Sequence, residues 1–179
     1  MDLKLLGWPP DGPTLTLDHE QFSYAGKFVM SSTGKAVGLE DDEVVAAIAF
    51  SPDRTDPDAL WLRYVTVRRD RRGDGLGPKL ARFVVDRARE RGYERVVIAV
   101  NNPYAYEALY RAGFAFTGRR SGLAELVLAW PADRSAETYL AGLDEFESRE
   151  LSDREQAFLA RQRETGVPSV EGNSSSTGE

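Results

Sequence analysis

The residues best suited to chemistry lie between Arg68 and Leu80, in the stretch RRDRRGDGLGPKL. Glycines occupy alternate positions 73, 75 and 77, between a run of arginines and a proline that suits the first turn of a helix. A helix that begins after such a turn exposes backbone N–H groups at its positive end, and glycines let a ligand approach them closely. Such a site suits a phosphate or pyrophosphate. The alternative is an ordinary turn between a strand and a helix, which can have the same spacing of glycines and bind no ligand.

Two common nucleotide-binding patterns do not fit this stretch. The dinucleotide pattern G-x-G-x-x-G needs a third glycine at position 78, which is Pro78. The nucleoside-triphosphate loop needs G-K followed by Ser or Thr, whereas Lys79 follows a proline and precedes Leu80. Both mismatches argue against a nucleotide-dependent enzyme.

The elements around the turn alternate between strand and helix patterns. Period-two runs and runs rich in β-branched and aromatic residues predict strands, and apolar residues at helical spacing predict helices. The predicted strands are 36–39, 44–50, 60–67, 95–100, 114–117 and 123–130, and the predicted helices are 76–91 and the segment between Asn102 and Gly113. The region before residue 36 carries no motif.

The last part of the chain differs from this body. Residues 135–147 and 152–163 have the spacing of amphipathic helices, the second opened by a capping box. Residues 166–179 (GVPSVEGNSSSTGE) are small and polar, which predicts a disordered tail. We therefore expect an α/β domain over residues 1–133, a C-terminal helical appendage over residues 134–165 and a disordered tail over residues 166–179.

Two stretches resemble the GNAT superfamily of acyl-CoA-dependent N-acyltransferases. VTVRRDRRGDGLGPKL is similar to its central motif, a strand ending in valine followed by R-G-x-G-x-G/A and a helix. NNPYAYEALYRAGF is similar to its downstream N-x-x-A-…-G-F helix. The resemblance implies a mixed, mostly antiparallel sheet with helices on both faces.

The resemblance also implies a binding role for particular residues. Backbone groups of Val65, Thr66 and Val67 would pair with the pantetheine arm of the coenzyme. Asn102 would hydrogen-bond the same arm, although asparagine is also a preferred helix cap. The pyrophosphate would be bound by backbone N–H groups of Arg72, Gly73, Asp74, Gly75, Leu76 and Gly77.

The chain departs from the family at the general acid. Family members often place a tyrosine seven residues after the asparagine, and that position holds Leu109. Tyr110, next to it, and Tyr106, one turn earlier, are the candidate hydroxyls, and neither need act, because a water chain can move the proton.

No general base stands out in the sequence. The lone histidine, His19, lies in the region without a motif, and a lone histidine is more often structural or exposed than catalytic. The candidate amine-binding carboxylates are Glu125, Asp41, Asp42 and Glu43, although charged side chains are mostly solvated and without a binding role.

The amino-acid composition limits which classes of partner and site are expected. The 179 residues carry 23 basic and 29 acidic side chains, a net charge of −6 that disfavours nucleic acid and favours a cationic partner. There is no cysteine, so a zinc–thiolate site, a disulfide framework and a cysteine nucleophile are excluded, and we expect no metal. No apolar run is long enough to span a membrane and no secretory signal is visible, so we expect a cytoplasmic protein that does not bind membranes. The C-terminal helices could pack on a second copy of the chain, so a homodimer is possible.

The resemblance implies an N-acetyltransferase that moves an acetyl group from acetyl-CoA to a primary amine, on a small molecule or a peptide, by direct attack in a ternary complex. The alternative is a non-catalytic acyl-CoA-binding module, which the missing acid and base favour.

Overall fold

The computed structural model describes residues 1–122 and 125–168. Within them the chain forms seven strands and four α-helices, with short 3₁₀ turns at Ala25–Lys27 and Arg69–Arg71. In chain order the elements are β1 (Asp2–Gly7), β2 (Gly34–Glu40), β3 (Glu43–Pro52), β4 (Ala59–Val67), α1 (Leu76–Glu90), β5 (Arg95–Val100), α2 (Pro103–Arg111), β6 (Ala115–Ser121), β7 (Glu125–Trp130), α3 (Ala136–Glu147) and α4 (Asp153–Thr165). The chain divides into two compact units, the first ending at Ile98 and the second beginning at Ala99.

The first unit is built on an antiparallel sheet to which one parallel pair is added. β1, β2, β3 and β4 pair antiparallel in sequence order, and β4 pairs parallel with the start of β5. Asp41 and Asp42 form the β2–β3 turn with φ of 50° and 63°, a conformation that aspartate tolerates better than most residues. The central strand β3 is buried from Val45 to Phe50, because both faces of the sheet are covered.

The two faces of this sheet are covered by different parts of the chain. α1 connects the parallel strands β4 and β5 and buries a stripe that includes Leu80, Val84 and Ala88 against one face. On the other face, Phe28 from the N-terminal segment packs with Val37 and with alanines of β3.

The second unit contains the β6–β7 hairpin and three helices. α3 is capped by the Ser135 side chain, and it buries Tyr139, Leu143 and Phe146. α4 begins with a complete capping box in which Ser152 and Glu155 each bond the other's backbone. The buried aromatic rings of α3 pack against α2, so the helices after residue 134 are part of the packed interior of this unit.

The predicted fold class, α/β with a mixed and mostly antiparallel sheet, is confirmed: among the strand pairs described, only β4–β5 is parallel. The last predicted strand lies at β7, and its first two residues, 123–124, lie outside the described residues. Most of the predicted tail, residues 169–179, also lies outside them, and the division at residues 133 and 165 stays a prediction. β1 is an element that the sequence analysis missed. No helix in the described ranges combines the length and apolar character needed to cross a membrane.

Candidate functional site

The C-terminal half of β4 is paired on one edge only. Its parallel ladder with β5 ends at the pair Leu62–Ile98, whereas its antiparallel ladder with β3 continues to Val67. A register shift in the β3 ladder leaves Arg63 without a directly opposed residue, a β-bulge at the point where the parallel pairing stops. Beyond this bulge β4 has a backbone edge that β5 does not pair with.

The alternation of the antiparallel ladder decides which backbone groups face that edge. The N–H of Arg68 donates to the carbonyl of Val45 at 2.9 Å, so this opposed pair is a hydrogen-bonded one. Every second residue of β4 repeats that orientation, which directs the backbone of Thr66 towards β3 and the backbones of Val65 and Val67 towards the open edge. Of the three backbone partners predicted for a pantetheine arm, Val65 and Val67 have the required orientation, and Thr66 points to β3.

The glycine turn leads from this strand to a bare helix start. After the 3₁₀ turn, Gly73 and Gly75 adopt φ of 87° and 77°, the left-handed region that favours glycine. Gly75 is the N-cap of α1 and provides no side-chain cap, while Pro78 has no N–H to satisfy. The N–H groups of the first turn of α1 are therefore available to an anion.

The helix start and the open strand lie in direct contact. A Cβ placed on Gly77 would be 3.4 Å from Cγ2 of Val67 and 4.0 Å from Cγ1 of Val65, which is ordinary van der Waals distance. The fold therefore brings the two predicted parts of the coenzyme site together, and alanine would also fit at position 77.

Carboxylates accompany the arginines of the turn. Arg71 forms ion pairs with Glu40, from the end of β2, and with Asp74 at 3.0 Å. The hydrogen bonds that Arg71 donates to these carboxylates raise the pKa of Arg71, and the one that Glu40 accepts lowers the pKa of Glu40. Arg71 is thus bound within the protein, and the backbone carries the anion-binding potential of the turn.

The neighbouring arginines are also engaged. Arg68 pairs with Asp70 at 2.6 Å and lies 3.6 Å from Glu43. Arg72 is exposed and donates to the hydroxyl of Ser23 at 2.8 Å. Ser23 could not be predicted from the sequence, because the segment that carries it has no motif.

Asn102 caps α2. Its Oδ1 accepts the N–H of Ala105 at 2.9 Å, and its Nδ2 donates to Oδ1 of Asn101 at 3.2 Å. The helix-cap alternative is therefore present in the structure, and the predicted hydrogen bond to a pantetheine arm stays a prediction.

Tyr106 is enclosed by the C-terminal helices. Only 1% of it is exposed, and its hydroxyl donates to the carbonyl of Tyr139 at 2.9 Å. Its ring stacks on the Tyr139 ring at 5.3 Å, and a Cβ on Gly142 would lie 2.0 Å from its oxygen. Burial raises the pKa of the Tyr106 hydroxyl.

Tyr110 is held in a similar way. Its hydroxyl donates to the carbonyl of Arg134 at 2.7 Å, and the Arg134 guanidinium returns a hydrogen bond to the carbonyl of Tyr110 and lies 4.1 Å from the centre of its ring. Burial raises the pKa of this hydroxyl too. Both candidate acids thus already donate their hydroxyl hydrogens to backbone carbonyls, and a catalytic role for either stays a prediction.

The candidate amine-binding carboxylates occupy exposed positions. Asp41 and Asp42 form the β2–β3 turn, Glu43 pairs with Arg68, and Glu125 opens β7. His19 is exposed as well. Across residues 1–122 and 125–168, no three His, Cys, Asp or Glu side chains cluster closely enough to hold a metal ion.

An open strand edge offers backbone groups to an extended ligand, and the uncapped helix start after the glycine turn offers N–H groups to a phosphate or pyrophosphate. The family model described as the acetyltransferase (GNAT) family matches residues 4–114, more than half of the chain. The chain belongs to this family.

Individual relatives are more distant. The probable N-acetyltransferase camello of Xenopus laevis is 36% identical over 62 residues, which are 35% of this chain and 28% of that protein. The chain therefore spans well under a third of the length of this relative.

One solved structure shows the shared fold. An acetyltransferase of Bacillus subtilis, crystallised in complex with CoA, is 12% identical and superposes with a TM-score of 0.54 over 71% of this chain and 95% of its own. At this identity the likeness concerns the fold alone. A nourseothricin acetyltransferase is 24% identical over 56% of this chain and 66% of its own, with a TM-score of 0.49.

Proposed function

We propose that the chain transfers an acetyl group from acetyl-CoA to a primary amine by direct attack in a ternary complex. One observation carries the proposal: the open edge of β4 runs into the uncapped N-terminus of α1. Coenzyme A has the matching order of groups, since the amides of its pantetheine arm are followed by a pyrophosphate. Val65 and Val67 would pair with the amides, and the N–H groups from Gly75 to Gly77 would bind the pyrophosphate.

Membership of the GNAT family supports the same assignment. The carboxylate-paired arginines support a site in which backbone dipoles carry much of the phosphate binding, because Arg68 and Arg71 are already engaged. Asn102 is proposed as a further partner of the pantetheine arm.

The proposed reaction can proceed without a dedicated acid or base side chain. The neutral amine nitrogen attacks the thioester carbonyl carbon, a C–N bond forms, the C–S bond breaks and coenzyme A leaves as a thiolate. The proton lost from nitrogen passes to the thiolate, directly or through water. Because thiols have pKa values of about 8.5, the thiolate is a fair leaving group without an acid, and holding the two reactants together supplies much of the rate.

A second function, a non-catalytic acyl-CoA-binding module, is favoured by one specific observation. The hydroxyls of Tyr106 and Tyr110 both donate to backbone carbonyls, so neither is free to protonate a leaving thiolate without breaking a hydrogen bond.

Release of free thiol from acetyl-CoA across a panel of primary amines separates the two functions. The chain contains no cysteine, so the protein adds no thiol background, and reactions without amine are the control for hydrolysis. We expect amine-dependent thiol release without a burst, together with saturable coenzyme A binding by calorimetry. Tight coenzyme binding without turnover on any amine would favour the binding module, and failure to bind coenzyme A would overturn both functions.

A further inference from the structure

Tyr24 combines two unusual properties. Its backbone is left-handed, with φ of 62° and ψ of 19°, a conformation that bulky side chains rarely adopt. Its side chain is 57% exposed, so burial does not repay the strain. Strained residues that contribute little to the core are found preferentially at ligand-binding positions.

The Tyr24 ring lies beside a second aromatic ring, that of Tyr64. The Tyr24 and Tyr64 rings lie 5.8 Å apart and are tilted by 42°, and Nζ of Lys27 lies 5.7 Å from the centre of the Tyr64 ring. Val29 and Met30, from the same segment, are each about half exposed. The Tyr64 ring therefore already faces a primary ammonium group, the chemical group that an amine substrate carries when protonated.

The segment before Tyr24 is hydrogen-bonded to the turn that leads into α1. The N–H of Arg69 donates to the carbonyl of Gln21 at 2.9 Å, and Arg72 donates to Ser23 at 2.8 Å. A molecule bound on Tyr24 would thus be held beside the proposed coenzyme site.

Thr66 adds a polar group to the same face of the sheet. Thr66 and Tyr64 are two residues apart on β4, and they lie opposite Ala47 and Ala49, whose side chains are only methyl groups. The residue is 4% exposed, and its hydroxyl oxygen has no hydrogen-bond partner among the described residues. Buried hydroxyls usually have a partner, and a ligand N–H would supply one here.

We propose that the Tyr24 and Tyr64 rings, with the Thr66 hydroxyl at the inner end, form the acceptor subsite, and that the acceptor is a primary monoamine on an aromatic or apolar body. This inference rests on the proposed acetyl transfer and names its substrate class. The rings would stack on the body of the acceptor, and Oγ1 of Thr66 would accept the N–H of its amine. The ammonium of Lys27 repels every positive charge that approaches, so it disfavours a polyamine with several ammonium groups more than a monoamine with one.

Tyr24→Gly is the decisive variant, because glycine adopts the left-handed conformation without strain and the protein should keep or gain stability. We expect Kd and KM for 2-phenylethylamine to rise about tenfold, the scale of a lost aromatic contact, while kcat and coenzyme A affinity stay within about twofold. Tyr24→Phe keeps the ring and the strain, and it should bind 2-phenylethylamine like the wild type.

Two further variants test the polar end and the charge. Thr66→Val deletes only the hydroxyl and should weaken 2-phenylethylamine binding without loss of stability, whereas Thr66→Ser should retain it. Putrescine should be a poorer acceptor than 2-phenylethylamine, with a lower kcat/KM. Lys27→Gln should reduce the difference in kcat/KM between the two amines.

Calorimetry of the amine alone makes this test independent of turnover. If acetyl-CoA is turned over but Tyr24→Gly leaves both Kd and KM unchanged, the subsite is overturned and the acetyl transfer stands. If Tyr24→Gly abolishes amine binding in a protein that never turns over, the subsite stands and the acetyl transfer is overturned. A wild-type protein that does not bind 2-phenylethylamine, or that prefers putrescine, also overturns the subsite.

Discussion

Gly75→Glu tests whether the backbone at the start of α1 binds the pyrophosphate. Gly75 is the N-cap of α1 with φ of 77°, so any side chain there is strained and also stands where the proposed anion would approach. Gly75→Gln carries the same strain and nearly the same bulk without the charge. The pair therefore separates the effect of a carboxylate from the effect of a side chain.

The magnitudes follow from the geometry. A residue other than glycine in the left-handed region costs about 1–2 kcal/mol of folding stability, and this cost is common to both variants. A carboxylate about 4 Å from a phosphate is repelled by up to ~4 kcal/mol at an effective dielectric constant of about 20, and salt reduces this value. We expect Gly75→Glu to weaken coenzyme A binding by at least ~2 kcal/mol, which is about 30-fold in Kd, and Gly75→Gln to weaken it less.

Calorimetric titration with coenzyme A measures these affinities, and thermal unfolding of each variant confirms that it is folded at the temperature of the titration. Gly77→Ala is a steric comparison, because its methyl group meets only Val65 and Val67 at ordinary contact distance, and it should cost under tenfold in Kd. Unchanged affinity in folded Gly75→Glu would refute the reasoning, and equal losses in Glu and Gln would show that bulk alone acts.

The remaining predictions concern the second unit. Phenylalanine at Tyr106 or Tyr110 removes the hydrogen bond from the hydroxyl to the carbonyl of Tyr139 or Arg134, so we expect each variant to lose about 0.5–1.5 kcal/mol of unfolding free energy in denaturant titrations and to keep its kcat within tenfold. A kcat loss of ~10² at unchanged coenzyme affinity would instead identify that tyrosine as the acid. Gly142→Ala gains about 1 kcal/mol of helix propensity, but its methyl group would meet the fully buried Tyr106 ring, so we expect a net loss of about 2 kcal/mol. A stabilised Gly142→Ala protein would show that the Tyr106 ring can move aside.

The features that the sequence predicted correctly are those set by near neighbours along the chain. The glycine turn before α1, the short connection between the strands predicted at 36–39 and 44–50, and the cap at Asn102 each depend on a few consecutive residues. Local preference is enough to predict such features.

The features that the sequence could not predict depend on residues far apart in it. The hydroxyl of Tyr106 bonds a carbonyl 33 residues away and that of Tyr110 one 24 residues away, so their partners follow from tertiary packing alone. The bulge at Arg63 and the end of the β5 ladder depend on strand register. Tyr24 lies in a segment without periodicity, and its left-handed conformation cannot be predicted from the spacing of apolar residues.

The pairing of the arginines around the glycine turn has a kinetic consequence. Residues 68–72 include four arginines, of which Arg68 and Arg71 pair with the carboxylates at positions 40, 43, 70 and 74, so these eight side chains sum to no net charge. Long-range attraction accelerates association only where a surplus of charge extends beyond the Debye length of about 10 Å at 0.1 M salt. The turn would therefore add no long-range attraction for a multiply charged anion, which the net charge of −6 on the chain repels at low salt, and the protein would distinguish among anions by how long each stays bound.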